Sequence, residues 1–172
     1  MLMATHLVGF GAGGSGAPST PALVDRTTGT HIGDLAGGST GVVGQCFDNT
    51  TSEDGATVVR KASNGYVGTT WGAGKYIQKV VVYGSNDDGF TIGTPQRSDN
   101  NIWIYAKNGT PSSGTDGTII GSLTAFTDIV NESSGRTITS TDQATAYTSV
   151  WIYGTTGAGA FGVAELQIWE LV

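Results

Sequence analysis

Oxygen-bearing side chains crowd one short run of this chain, Asp48-Asn49-Thr50-Thr51-Ser52-Glu53-Asp54. A hard cation such as Ca²⁺ takes its ligands from carboxylates, hydroxyls and carbonyls of this kind. The spacing is not that of an EF-hand: the sixth position from Asp48 is Glu53 where the loop needs glycine, and the twelfth is Val59 where it needs glutamate. Catalytic constellations are harder to find. Gly9-x-Gly11-x-x-Gly14 has the letters of a dinucleotide fingerprint, but no βαβ pattern surrounds it, and a chain with 28 glycines produces such matches readily. The two histidines, His6 and His31, both fall in the N-terminal leader, so a histidine triad would have to stand outside the folded body. Glu53, Asp54, Asp87, Asp88 and Asp99 lie in turn-like sequence, where such side chains bond the local backbone. A paired-carboxylate glycosidase is therefore disfavoured, and the chain reads as a non-enzyme.

Charge and composition narrow the partners. The net charge is −6, and among eight basic residues only Arg60-Lys61 are adjacent, so there is no basic face for nucleic acid. Cys46 is the single cysteine, which excludes an intrachain disulfide and reads as a small buried hydrophobe. No apolar run reaches about 18 residues, so no membrane insertion is expected. No Lys or Arg precedes the short Leu7-Val8-Gly9-Phe10 cluster, which argues against a secretory signal. A chain with this much Ser and Thr gives about one or two Asn-x-Ser/Thr triplets by chance, and no glycans are assigned to those that begin at Asn49, Asn108 and Asn131.

The elements that must position these residues are strands. Residues 1–40 form a glycine-rich leader, with Gly11-Ala12-Gly13-Gly14-Ser15-Gly16-Ala17-Pro18 and only brief strand candidates at Thr5–Val8 and Leu23–Val24. From Val42 onward, strands are expected at 57–61, 65–71, 76–83, 101–106, 118–123, 136–141, 149–153 and 163–171, separated by Gly, Asn, Asp and Ser clusters. No ten-residue stretch keeps a helical period. The fold class is all-β, an antiparallel β-sandwich or jelly roll over 41–172 with a flexible arm at 1–40. Alternation places Val80 and Val82 inward, sets Ile102 and Ile104 against Trp103 and Tyr105, and sets Val150 and Ile152 against Trp151 and Tyr153. Strands with aromatics opposite aliphatics bury both faces or offer one to a partner, so a homo-oligomer is expected.

Three segments carry a family resemblance. Val163-Ala164-Glu165-Leu166-Gln167-Ile168-Trp169-Glu170-Leu171-Val172, the loop Phe47-Asp48-Asn49-Thr50-Thr51-Ser52 and the strand end Val80-Val81-Val82-Tyr83-Gly84-Ser85-Asn86-Asp87 are arranged as in discoidin-like domains. That family is also called F5/8 type C or galactose-binding-like, and the resemblance covers residues 42–172. It implies surface recognition rather than catalysis. It also implies a structural Ca²⁺ held by Asp48, Thr51 and Glu165, with Asn49 standing where the family has the glycine of a D-G turn. Sugar binding is the activity it implies, on loops at one end of the sandwich. The matching residues are Arg60, Asn64, Asp88, Arg97 and Asn100 for hydroxyls, with Phe90 or Phe161 as an aromatic platform, while Trp71 is read as packing.

The leader from Met3 to Gly13 and the segments YGSNDDGF and SGTDGT are similar in style to small bacteriophage virion proteins. The expectation that follows is a virion surface protein, located on a head fibre or spike, a capsid decoration or the tail tip. It would dock on other virion proteins through residues 1–40 and bind a host surface polysaccharide. The alternatives are a free carbohydrate-binding module and a structural decoration protein without a glycan ligand.

Overall fold

A computed structural model describes residues 18–37, 43–49, 59–61 (backbone only), 64–84, 101–125, 135–155 and 161–172. The strands are β1 Pro21–Leu23, β2 Thr30–Gly33, β3 Ala36–Gly37, β4 Val59–Lys61, β5 Gly65–Tyr83, β6 Asn101–Lys107, β7 Thr118–Thr124, β8 Arg136–Thr139, β9 Ala146–Thr155, β10 Phe161–Val163 and β11 Glu165–Leu171. A 3₁₀ turn, Val43–Phe47, precedes the Asp48 loop. Every pairing among these strands is antiparallel. The larger sheet runs β1-β11-β5-β9-β6-β7, with β2 and β8 also on β5, and the smaller runs β10-β4-β3. The all-β antiparallel expectation is what the structure shows.

The long strand β5 organises the sandwich. Its first half, with Val67, Thr69 and Thr70, pairs with β2 and β9, and its second half, with Val80, Val81 and Val82, pairs with β11 and β8. Between the halves the register against β9 jumps from Thr70 opposite Ser149 to Lys75 opposite Tyr147. The exposed Gly72-Ala73-Gly74 segment absorbs that jump as a bulge, which bends the strand from one ladder to the next. The sequence pattern splits this element into 65–71 and 76–83, because Gly-Ala-Gly has the composition of a turn.

Alternation holds across the core. Val80, Val82, Leu166, Ile168 and Ile138 are buried in register on one side, and Val67, Ile102, Ile104, Val150 and Ile152 on the other. All belong to a single contiguous cluster. The opposite face of β6 and β9 carries Trp103, Tyr105, Trp151 and Tyr153. Tyr105 stacks on Trp151 at 5.9 Å, and the 108–117 loop closes over them with the Trp151 indole donating to the Gly114 carbonyl at 2.7 Å. Trp71 is buried as packing and Cys46 is wholly buried, as read from the sequence.

The boundary drawn after residue 40 moves. Residues 18–37 belong to the sandwich: β1 pairs with β11, β2 with β5 and β3 with β4, while Val24 and Leu35 enter the core. Three short strands suffice because each adds to an existing ladder and needs no core of its own. His31 consequently stands inside the folded body on β2, not in a free leader. Residues 1–17 of the expected arm, including Thr5–Val8, lie outside the described residues.

Candidate functional site

The turn joining β1 to β2 is built on Asp25. Its carboxylate accepts from the Thr27 amide at 2.9 Å and the Thr27 hydroxyl at 2.8 Å, and its carbonyl accepts from the Thr28 hydroxyl at 2.7 Å. This is the local bonding for which Asp and Thr are favoured in turns, and it holds the Asp25 carboxyl below its ordinary value. Gly29 closes the turn at φ +93°, and a Cβ there would lie 2.6 Å from the Thr70 carbonyl oxygen. Arg26 is thereby fixed at the corner of the turn.

The 3₁₀ turn forms a second wall. It buries Cys46 and Phe47, with the Cys46 thiol donating to the Val163 carbonyl at 3.4 Å. His31 stacks on Phe47 at 4.2 Å, and its Nε2 lies 3.2 Å from the Arg26 carbonyl oxygen. Asp48 and Asn49 then emerge exposed. Asn49 adopts φ +73°, the left-handed region that Asn enters more readily than most side chains. The conformation a glycine would supply is kept, and a side-chain amide is added.

Glu165, the first residue of β11, closes the cluster from below and is fully buried. One nitrogen of the Arg26 guanidinium, Nη1, pairs with Glu165 Oε1, and Nη2 donates to Asn49 Oδ1 at 2.7 Å. The Asn49 backbone N–H donates to Glu165 Oε2 at 3.1 Å. Burial pushes the Glu165 carboxyl up to about 7, against the opposing pull of Arg26 and the Asn49 amide, with Asp48 adding a smaller upward push. Between the two walls lies an open groove of about 340 Å³, lined by Leu23, Asp25, Arg26, Phe47, Asp48 and Asn49 among others. That volume lies at the small end of ligand sites, ~300–1,000 Å³. The groove combines exposed carboxylates and an amide with an apolar floor.

Of the residues expected to hold Ca²⁺, Asp48 and Glu165 come together around Arg26, and Thr51 lies outside the described residues. Among the described residues no group of three or more His, Cys, Asp or Glu side chains is placed to hold a metal ion. The loops expected to bind sugar do begin and end near one another. Gly65 pairs with Gly154, Asn101 with Thr155 and Lys61 with Phe161, and Asn64 is exposed at that edge. Arg60 pairs through its backbone with Gly162, while Asp88, Phe90, Arg97 and Asn100 lie outside the described residues, as does the side chain of Arg60. Phe161 requires correction. Its ring is wholly buried over Gly154, where a Cβ would fall 2.1 Å from a ring carbon, so it fills the core and offers no platform. Asp25 and Arg26 were missed because they lie in the segment read as an arm. Asp-x-Thr-Thr-Gly between two short apolar runs is nonetheless a turn signature that places both runs on a folded body.

No family model matches this sequence, and no curated protein matches it by sequence. Solved structures do match the fold. The family 32 carbohydrate-binding module of C. perfringens NanJ, solved in complex with galactose, is 13% identical with a TM-score of 0.61, covering 88% of this chain and 100% of that one. CBM62 from Clostridium thermocellum Xyl5A is 19% identical with a TM-score of 0.58, covering 84% and 95%. Chitosan-binding module 1 from a chitosanase/glucanase of Paenibacillus sp. IK-5 is 14% identical with a TM-score of 0.55, covering 84% and 97%. The sandwich therefore has the galactose-binding-like fold of these modules.

Proposed function

We propose that this chain is a non-catalytic carbohydrate-recognition module whose sugar lies in the groove between the Asp25 turn and the Asp48 loop. The observation that carries the reading is the groove itself: exposed Asp25, Asp48 and Asn49 beside the apolar surface of Leu23 and Phe47, on a fold shared with modules solved with sugars. Carboxylate and amide acceptors suit hydroxyls, and the apolar floor suits the C–H face of a pyranose. The Arg26 charge is committed to Glu165, so the groove mouth is acidic. Neutral or amino-bearing sugars fit this balance, and acidic sugars are repelled. A shallow groove binds weakly per copy, and display of several copies raises the effective concentration.

Titration calorimetry with neutral, amino and acidic oligosaccharides tests this. Binding of the first two classes, lost in Asp25→Ala/Asp48→Ala and kept in Arg60→Ala/Asn64→Ala/Arg97→Ala, supports the groove. The reverse pattern moves the site to the loops that meet near Asn64, and binding of no class removes the glycan reading. The finer expectation, display on a phage particle with docking through residues 1–40, rests on the resemblance of the leader and of YGSNDDGF and SGTDGT; because residues 18–37 are in the sandwich, the part deleted to test it is residues 1–17. Its test is whether purified particles contain the chain and lose it when those residues are deleted.

A further inference from the structure

The resemblance to discoidin-like domains implies a structural Ca²⁺ at Asp48, Thr51 and Glu165; Thr51 lies outside the described residues, and the surroundings of Glu165 argue against an ion there. Both carboxylate oxygens of Glu165 already have donors, Oε1 from the Arg26 guanidinium and Oε2 from the Asn49 backbone N–H. A calcium ion would lie about 2.3–2.6 Å from such an oxygen, which would set it close to the guanidinium charge already there. Two cations on one oxygen of a fully buried carboxylate repel each other strongly, because little water screens them. We propose that the Arg26 guanidinium is the resident cation of this site and ties β11 and the Asp48 loop to the β1–β2 turn without a metal.

Three further observations fit that role. The planar guanidinium carries separate donors, and here one nitrogen takes Glu165 while another takes Asn49. The second acceptor exists because Asn49 holds a position whose φ of +73° favours glycine. Glycine would keep the turn and leave Nη2 without its acceptor, so the departure from the family's D-G turn and the presence of Arg26 answer each other. Arg26 is also held from behind, by the Asp25–Thr27 bonds and by His31 at its carbonyl. The proposal stands independently of sugar binding, since its readout is stability without a ligand.

The test is thermal unfolding of the full chain at pH 8, where Glu165 is ionised, with millimolar CaCl₂ or with chelator, alongside native mass spectrometry of the calcium-treated protein. The wild type is expected to melt at one temperature in both solutions and to carry no calcium. Arg26→Gln is expected to melt about 5–10 °C lower, because it strands a buried carboxylate. Arg26→Lys should recover only part of that loss, since a single ammonium cannot reproduce the fork. Should Arg26→Gln fail to fold, Asn49→Gly supplies the smaller downward shift to be measured. A wild-type melting temperature that rises with calcium and falls with chelator would overturn the proposal. So would a bound calcium in the native spectrum, or an Arg26→Lys variant that melts with the wild type.

Discussion

At the scale of single residues, Glu165 shows how burial and pairing compete. Desolvation is the larger effect, so burial pushes the folded carboxyl up to about 7 from its ordinary 4.5. The folded state therefore keeps a proton that the unfolded chain has already released, and stability falls as pH rises from about 4.5 to about 7. The charged groups acting on Glu165 are Arg26, which lowers its value, and Asp48, which raises it. Other carboxyls act in the opposite sense at lower pH. Asp116 is held down by Lys107 and then Ser112, Asp142 by the Tyr147 hydroxyl and then Thr145, and Asp25 by Thr27. What they contribute is present above their ordinary value of 3.8 and is lost as pH falls through their folded values. The urea midpoint should accordingly peak near pH 4–5, and Glu165→Gln should flatten the decline above the peak. A wild-type midpoint that stays constant from pH 4.5 to 7 contradicts this account of Glu165.

At the scale of elements, β9 and β10 are locked by a ring over a missing side chain. Gly154 ends the inward-facing series Val150, Ile152, Gly154, and the Phe161 ring occupies the space a Cβ would take. Phe161→Ala should cost about 3–5 kcal/mol by opening a cavity, and Gly154→Ala about 1–3 kcal/mol by overpacking. The double variant should cost less than the sum, since the new methyl enters the space the ring leaves. Denaturant unfolding of the three variants measures this, and simple additivity would show that the two positions do not share that space. The same pair explains why Phe161 is misread from sequence. An aromatic in a glycine- and alanine-rich run looks like a loop platform until the glycine opposite is known.

At the scale of the molecule, residues 18–37 are part of the folded body. Removing residues 1–37 deletes β1 and β2 from the large sheet and β3 from the small one, uncovers Val24 and Leu35's partners in the core, and leaves Glu165 without its guanidinium. Truncation through residue 40 is therefore expected to abolish cooperative unfolding, whereas truncation through residue 17 leaves every contact described above in place and should melt with the intact chain. Thermal melts followed by circular dichroism distinguish these outcomes. A longer truncation that melts like the intact chain would return the boundary to residue 40.

What the sequence determined by itself is the set of properties carried by neighbouring residues. Period-two alternation placed Val80 and Val82 of β5 inward and set the aliphatic side of β6 and β9 against the aromatic one, the glycine and asparagine clusters separated the strands, and sparse basic residues gave the expectation of no nucleic-acid partner. Those signals are local, so they survive without knowledge of which strands pair. The tertiary structure alone decided that Arg26 meets Glu165 across 139 positions of chain, that Asn49 joins them, and that Phe161 is core. Turn residues have the same composition whether they bond their own backbone, a distant side chain or a ligand. Only the order in which β1, β11 and β5 assemble brings one particular arginine to one particular carboxylate.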